Sequence, residues 1–272
     1  MHAAKDTVST RIANFFRYNL IWLGYRLGIS IGSRIRKHRI RLSKRLDHAF
    51  DATVRYGPFA GLRLGPANVW NSADRGSMLL GMYEQEVLSS LRDIPAGHDT
   101  LIDLGAADGY YGVGVLVADL FRNAICYETN ELGRAVIRSN AILNGVQDRI
   151  EIRGMAEKHF HEAIPAAVRD ASVLLVDVEG GEFELLHEAT FRAFANAIIL
   201  VELHEWFFED GAEKLSRLML DSASTHSATT LTMGARDPSA FPELHGFNDN
   251  DRWLVCSEGR GRLMRWLRFD PR

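Results

Sequence analysis

The stretch Thr100-Leu-Ile-Asp-Leu-Gly-Ala-Ala-Asp-Gly-Tyr-Tyr-Gly112 decides the fold. Its first five residues are mainly apolar and predict a buried strand, after which glycines and alanines follow directly. Small residues at this point let the backbone turn sharply into a helix and approach a ligand closely. The stretch therefore predicts a strand, a tight turn and a helix, with a ligand bound over the turn.

On both sides of this stretch, strand and helix patterns alternate. Short apolar strands are predicted at 100–104, 124–128, 149–153, 173–177 and 197–202, with two last strands at 227–233 and 252–257. Helices are predicted at 78–91, 110–121, 131–143, 156–168, 180–194 and 211–223, and a small hairpin at 53–64. This alternation indicates an α/β fold, a mostly parallel sheet with helices on both faces. Ligands of such sheets bind beyond the carboxyl ends of the strands.

The charge of the chain is unevenly distributed. The 272 residues carry a net charge of −3, and their 46% hydrophobic and 25% charged content is typical of a globular protein. Residues 1–50 contain 11 Lys and Arg but only two acidic residues, so the rest of the chain is strongly acidic. Two cysteines cannot form a disulfide framework, which favours a reducing, cytoplasmic location.

The N-terminal segment predicts an amphipathic helix. Apolar residues from Ile12 to Ile31 recur every three or four positions, and a basic cluster follows at 34–45. Arg17 and Arg26 interrupt the apolar stretch, which makes it too short to span a membrane. Peripheral contact with an anionic membrane, at its inner face, is one interpretation of residues 12–46. Packing on the body or self-association is the other, and nucleic-acid binding is disfavoured because no reading module is recognisable.

Three regions follow from these patterns. Residues 1–50 form a basic, helical N-terminal appendage, residues 51–98 form a hairpin and a helix that lead into the core, and residues 99–272 form the ligand-binding domain.

Acidic residues end the first two predicted strands. Glu128 follows Gly105 by 23 positions and is placed to accept hydrogen bonds from ribose hydroxyls. Asp103 precedes the glycine turn and Asp108 lies within it, where their negative charge opposes a pyrophosphate and suits a cationic ligand with an amino group. This charge pattern favours S-adenosylmethionine over NAD.

The fourth and fifth predicted strands also end in polar residues. Asp177 and Glu179 follow one strand, and Glu202 and His204 follow the next, so all four are expected in the crevice. Glu182 and Glu184 follow at the start of a predicted helix, where carboxylates commonly act as caps.

Five sequence blocks together resemble the FkbM-type S-adenosylmethionine-dependent methyltransferases. They are Leu101-Ile-Asp-Leu-Gly-Ala-Ala-Asp-Gly-Tyr-Tyr, Tyr127-Glu-Thr-Asn, Asn140-Ala-Ile-Leu-Asn-Gly, Val176-Asp-Val-Glu-Gly-Gly-Glu and Val201-Glu-Leu-His. The blocks occur in the family's order within residues 80–205. Ala107 stands where the family usually has Asn, and Thr129 stands where Pro often follows the acidic ribose ligand.

The resemblance implies a Rossmann-like class I methyltransferase fold with seven strands, the last antiparallel. It also implies methyl transfer to a hydroxyl of a sugar, a glycolipid or a secondary metabolite. The residues assigned to the cofactor are Asp103, Gly105, Ala106, Asp108, Gly109, Glu128, Asn130 and Asp177. His204 is the first candidate for the general base, because an imidazole with a pKa near neutrality suits that role, and Asp177 or Glu179 could serve instead.

The acceptor is expected to be a small molecule or a carbohydrate bound by strand-end loops. The residues assigned to it are Glu202, Arg236, Asn248, Asp249 and Arg252, with turn capping as the alternative role. Carboxylates near His204 could hold a divalent metal, but none is expected, and His159-Phe-His161 is interpreted as a solvated helix face. Two rival functions stay open, a nucleic-acid methyltransferase that uses the basic arm and a non-catalytic nucleoside-binding adaptor.

Overall fold

The computed structural model describes residues 31–69 and 72–272. Most of the apolar stripe predicted at residues 12–31, and with it the predicted N-terminal amphipathic helix, lies outside these ranges. Within them, no helix combines the length and the apolar character needed to cross a membrane.

A seven-stranded sheet forms the centre of the molecule. Its strands are β1 Thr100–Leu104, β2 Asn123–Tyr127, β3 Ile150–Arg153, β4 Ser172–Val176, β5 Ile198–Glu202, β6 His226–Thr232 and β7 Arg265–Pro271. They lie in the order β3-β2-β1-β4-β5-β7-β6. Strands β1 to β5 are parallel, and β7 runs antiparallel to both β5 and β6. The predicted Rossmann-like α/β fold, a mostly parallel seven-stranded sheet with an antiparallel last strand, is confirmed.

Ten α-helices connect and cover the strands in the described ranges. They are α1 Ile31–Ala49, α2 Arg75–Leu79, α3 Gln85–Arg92, α4 Tyr110–Val117, α5 Glu131–Leu143, α6 Ala166–Asp170, α7 Glu182–Leu185, α8 Glu188–Ala193, α9 Gly211–Ser222 and α10 Asp249–Cys256. Short 3-10 turns lie at Gln147–Arg149, Phe160–Ala163, Glu205–Phe207, Pro238–Ala240 and Pro242–Leu244.

The central strands are buried on both faces, which explains their continuous apolar runs. All five residues of β1, β4 and β5 are buried. Because successive side chains of a strand point to opposite faces, Leu101 and Leu175 join one core cluster, whereas Ile102 and Leu174 join the other. Two hydrophobic layers therefore hold the sheet rigidly, and the strand ends have fixed positions.

The prediction of a last strand at 252–257 is wrong. Residues 252–256 belong to α10, and Ser257 is its C-cap. Asn248 caps the first turn of this helix, because its side chain accepts a hydrogen bond from the Asp251 N–H over 2.9 Å. Val255 and Cys256 are buried, whereas Trp253 is 52% exposed. A short apolar run does not distinguish a strand from one face of a helix. The last strand is instead β7, which carries the fully buried Trp266.

Two predictions for residues 51–98 need correction. The predicted helix at 78–91 is divided into α2 and α3, since Gly81 adopts a φ of +65° and any side chain there would overlap the Tyr56 carbonyl oxygen. The predicted hairpin at 53–64 is reduced to a single antiparallel bridge between Thr53 and Arg63.

The basic helix α1 packs against the body through one face. Leu42 and Leu46 are buried in the first core cluster, and the buried Arg39 forms an ion pair with Asp74. His38 Nε2 lies 2.6 Å from Asp251 Oδ1 in α10. The described part of the predicted appendage is thus attached to the core by both apolar and ionic contacts.

Candidate functional site

The candidate site lies at the carboxyl ends of β1, β4 and β5. Leu104 pairs with Val176, and Val176 pairs with Val201, so the residues that follow these strands reach the same level of the sheet. Strand β1 lies between β2 and β4, which is where the strand order reverses. Open α/β sheets bind ligands at this switch point.

The turn after β1 requires small residues. Gly105 has a φ of +89°, and a side chain there would overlap the carbonyl oxygen of Asp177. Gly109 has a φ of +80° and directly precedes α4. Ala107 has a φ of +47°, a left-handed conformation that Asn adopts more readily than Ala. The turn therefore holds its backbone in a strained, specific shape.

Glu128 connects the end of β2 to this turn. Its nearly buried carboxylate accepts hydrogen bonds from the Ala107 N–H over 2.8 Å and from the Asn130 N–H over 2.6 Å. The Asn130 side chain itself accepts from the Leu132 N–H and caps α5. Glu128 is thus held next to the glycine turn, whereas the side chain of Asn130 is engaged in its own helix.

Asp108 faces the segment that precedes α2. Its carboxylate accepts a hydrogen bond from the Val69 N–H over 3.0 Å, and its carbonyl accepts from Asn140 Nδ2 over 2.9 Å. Asn140 Oδ1 in turn accepts from the Gly65 N–H over 2.9 Å. These contacts draw the 65–69 segment over the turn, so Asp108 has a structural role in the present geometry.

Asp103 is a buried acid with unsatisfied oxygens. It is 1% exposed, and neither carboxylate oxygen has a hydrogen-bond partner among the described residues. Burial, with the nearby Asp177 carboxylate, raises the pKa of Asp103 to about 8. An unsatisfied acid at the end of β1 costs free energy that a cationic ligand would offset.

His204 is held in place by a buried glutamate that the sequence interpretation treated as a helix cap. Glu182 is fully buried, and its Oε1 accepts a hydrogen bond from the His204 backbone N–H over 2.7 Å. The same oxygen lies 3.4 Å from His204 Nδ1, and Glu182 Oε2 accepts from the Gly180 N–H. A carboxylate beside Nδ1 favours a proton on that nitrogen and leaves Nε2 for other chemistry.

The other ring nitrogen of His204 faces three carboxylates. Nε2 lies 3.4 Å from Glu179 Oε2, 3.4 Å from Glu202 Oε2 and 3.9 Å from Asp177 Oδ1. Burial lowers the pKa of His204, but the carboxylates of Glu182, Asp177 and Glu179 outweigh it, so the pKa is raised above its usual 6.5. The ring also stacks on Phe207. The structure therefore brings together all four polar residues predicted at the ends of β4 and β5.

An arginine that the sequence analysis missed lies among these acids. Arg260 Nη1 donates to Glu202 Oε1 over 2.6 Å, Arg260 Nε donates to Glu258 Oε2 over 2.8 Å, and Arg260 Nη2 donates to Glu84. Glu84 is fully buried in a left-handed conformation, and burial raises its pKa to about 7. The one sequence signal for Arg260 is its position between Gly259 and Gly261, shortly before the last strand.

The residues assigned to the acceptor are dispersed. Arg236 is buried and forms a two-pronged ion pair with Glu86, at 2.7 and 2.9 Å, and a further one with Glu258. Asn248, Asp249 and Arg252 lie at the start of α10, where Arg252 Nη2 donates to Asp249. No hydrogen bond or ion pair between described residues joins these three to the His204 cluster. Of this set, Glu202 alone contacts His204.

The cluster around His204 could hold a cation. Asp177, Glu179 and His204 each offer one ligand atom, and the three atoms lie within 4.8 Å of one another. Burial raises the pKa of Asp177 and that of Glu202, and the Asp177 carboxylate raises the pKa of Glu202 further, to about 11. Such a site can accept an ammonium or sulfonium group, or a divalent ion with oxygen and nitrogen ligands.

No family model matches the sequence, and no curated protein sequence matches it. Solved structures match by fold. One is the B. subtilis m1A22 tRNA methyltransferase TrmK, with a TM-score of 0.44 and 11% sequence identity. The match covers 67% of this chain and 64% of the TrmK chain. An O-methyltransferase from Bacillus cereus in complex with SAH has a TM-score of 0.43 and 14% identity, covering 85% of this chain and 90% of its own. P. horikoshii TYW2 in complex with MeSAdo has a TM-score of 0.41 and 14% identity, covering 67% and 60%. Likeness at this level carries no argument about the activity of this chain.

Proposed function

We propose that this protein is an S-adenosylmethionine-dependent O-methyltransferase related to the FkbM type. Its acceptor is a hydroxyl group on a sugar, a glycolipid or a secondary metabolite. One observation carries the proposal, namely that the unsatisfied, buried Asp103 lies beside a glycine turn to which Glu128 is hydrogen-bonded. This arrangement combines a place for positive charge with an acceptor for ribose hydroxyls.

The residues present fit the proposed cofactor. Asp103 and Asp177 each have a buried carboxylate oxygen without a hydrogen-bond partner in the described ranges, at the ends of adjacent strands. A positively charged group would favour their ionised forms and lower both raised pKa values. The Glu128 carboxylate would accept hydrogen bonds from the ribose hydroxyls. Gly105 has no side chain, so the turn can lie directly against the Asp177 carbonyl oxygen.

The chain's own residues then act on the acceptor. When bound, S-adenosylmethionine supplies a methyl group on a sulfonium, and the protein aligns the acceptor with it. His204 Nε2 takes the proton of the acceptor hydroxyl, and the Glu182 carboxylate, 3.4 Å from Nδ1, stabilises the resulting imidazolium. Trp206 and Phe207 pack against the His204 ring and shield it from water.

Calorimetry with the full chain tests this proposal. We expect S-adenosylmethionine to bind with one site per chain and NAD not to bind, because the acids at the turn repel a pyrophosphate. Incubation with labelled cofactor and a panel of hydroxylated acceptors should then transfer the label. Tight binding of NAD, or no binding of S-adenosylmethionine, would contradict the proposal, and binding without transfer to any acceptor would favour a non-catalytic adaptor.

We also propose that the outer face of α1 contacts an anionic membrane surface. Arg34, Lys37, Arg41 and Lys44 are all exposed and spaced three, four and three residues apart, which places them on one face of the helix. This face lies opposite Leu42 and Leu46, which bind the helix to the core. Clustered Lys and Arg side chains on such a face are attracted to anionic lipid headgroups.

Sedimentation with phosphatidylserine vesicles tests this contact. Changing Arg34, Lys37, Arg41 and Lys44 together to Ala should weaken vesicle binding by several hundredfold, since each basic residue contributes roughly 1 kcal/mol. The matched control changes four exposed arginines elsewhere, Arg122, Arg138, Arg192 and Arg217, and should retain binding. Equal binding by both variants, or tighter binding of the wild type to RNA than to vesicles, would contradict the membrane proposal.

A further inference from the structure

Three histidines meet on the side of the sheet away from Asp103. His159 and His161 flank Phe160, which is buried in the second core cluster and anchors the 3-10 turn behind β3. His187 lies at the N-terminus of α8. The ring centroids of these histidines form a nearly equilateral triangle, with sides of 5.8, 6.0 and 6.1 Å. The fold thus brings His187 next to a pair that is close in sequence.

The interpretation of His159-Phe-His161 as a solvated helix face is wrong for His161. His161 is 7% exposed, and its buried Nδ1 has no hydrogen-bond partner among the described residues. A buried ring nitrogen without a partner costs about 1–3 kcal/mol, and a bound ion or a water would satisfy it. His159, in contrast, is exposed and free to reorient.

We propose that His159, His161 and Glu162 bind a divalent transition metal of the zinc class. Each offers one ligand atom, and these three atoms lie within 4.8 Å of one another. Zinc bonds of about 2.1 Å at tetrahedral angles place ligand atoms roughly 3.4 Å apart, so the distances within the cluster must contract by at most about 1.4 Å. The side chains of His159 and Glu162 are 61% and 73% exposed, and their rotation supplies that contraction.

His187 lies beside this site, although the ligand atoms within 4.8 Å of one another belong to His159, His161 and Glu162. Its ring lies within 6.0 Å of both other histidines, close to the roughly 5 Å separation of two imidazoles on one zinc ion. Its Nε2 contacts the Lys158 carbonyl oxygen at 3.2 Å, which holds the ring beside the cluster.

The nitrogen-rich ligand set distinguishes this site from the carboxylate cluster around His204. Imidazoles with one carboxylate suit Zn²⁺ or Co²⁺, whereas a set dominated by carboxylates suits Mg²⁺ or Ca²⁺. A bound ion would stabilise the 3-10 turn after β3, and it would connect this turn to the start of α8 if His187 also became a ligand. The inference does not depend on methyl transfer.

Titration of the untagged full chain with Co²⁺ and Zn²⁺ tests this site. We expect one tight site, with the visible absorption of tetrahedral Co²⁺ that Zn²⁺ displaces. His159→Gln should weaken metal binding by at least about tenfold, because changes to mere supporting residues already cost 10- to 100-fold. Glu162→Gln should weaken it in the same direction, and both residues are exposed, so these variants should fold.

Two matched variants make the result decisive. His245→Gln changes an exposed histidine elsewhere and should leave the Co²⁺ spectrum unchanged. His204→Gln alters the strand-end cluster and should also leave it unchanged. If the wild type gives no tetrahedral Co²⁺ spectrum, if His159→Gln binds as tightly as the wild type, or if only His204→Gln loses the metal, the proposal is wrong.

Discussion

Replacing His204 with Gln should lower turnover by about 10²- to 10⁴-fold, the usual contribution of a positioned general base. The affinity for S-adenosylmethionine should change little, because the residues assigned to the cofactor are those at the ends of β1, β2 and β4. Turnover of a confirmed acceptor and calorimetric titration of the cofactor, made on the same preparation, separate the two effects.

The pH dependence of turnover provides a second readout of this role. A base acts in its neutral form, so activity should fall as the pH is lowered through the His204 pKa, which the surrounding carboxylates raise above 6.5. Glu182→Gln removes the carboxylate beside Nδ1 and should shift this acidic limb to lower pH. If His204 had a purely structural role, Glu182→Gln would leave the acidic limb of the pH profile unchanged.

His98→Gln is the matched control for His204, since His98 is part-exposed and its Nδ1 contacts only the Pro95 carbonyl oxygen in the turn before β1. It should keep wild-type turnover and the wild-type pH profile. Wild-type turnover in His204→Gln, or a loss accounted for by weaker cofactor binding, would remove His204 from the role of base.

Replacing Glu128 with Gln should weaken binding of S-adenosylmethionine by about 10- to 100-fold. The carboxylate has two oxygens that can accept hydrogen bonds from ribose hydroxyls, and a hydrogen bond to a charged group contributes about 1.5–3 kcal/mol. The amide keeps one acceptor oxygen and can still bond the Ala107 N–H, so the change affects charge more than shape. Calorimetry measures the affinity directly.

Glu131→Gln serves as the control for this variant. Glu131 is exposed in the first turn of α5, three residues after Glu128, and should bind the cofactor as the wild type does. Thermal unfolding of both variants shows whether the fold is intact. Unchanged affinity in Glu128→Gln with an intact fold would disprove the assignment of the ribose to β2.

The positions of the strand-end residues could be predicted, because they depend on local apolar patterns and on the parallel arrangement of the strands. Apolar runs located β1, β4 and β5 to within a residue, and parallel strands bring their carboxyl ends to one edge. Asp103, Asp177 and His204 therefore follow from sequence alone. Their burial and the direction of their pKa shifts do not, because these depend on which groups pack around them.

The partners that came from distant parts of the chain were not predictable. Glu84 meets Arg260 across 176 positions, and no periodicity links them. The residues around Arg236 predict a loop. Only the folded structure shows that Arg236 forms ion pairs with Glu86 and Glu258. The segment that forms α10 was misassigned for a related reason, since packing against α1 selects a helix where the apolar run alone allowed a strand.

The buried acids also make the free energy of unfolding depend on pH. Burial raises the pKa of Asp103 to about 8 and that of Glu84 to about 7, from 3.8 and 4.5 when solvated, so the folded chain retains protons that the unfolded chain has released. Their contribution to the free energy of unfolding is complete in acid and is lost as the pH rises through their folded pKa values. A cation that binds beside them expels these protons, which means that its affinity increases over the same pH range in which the empty protein becomes less stable. If S-adenosylmethionine is the ligand, as proposed, its binding should therefore release protons from these acids, and the release can be measured in calorimetry buffers of different ionisation enthalpy.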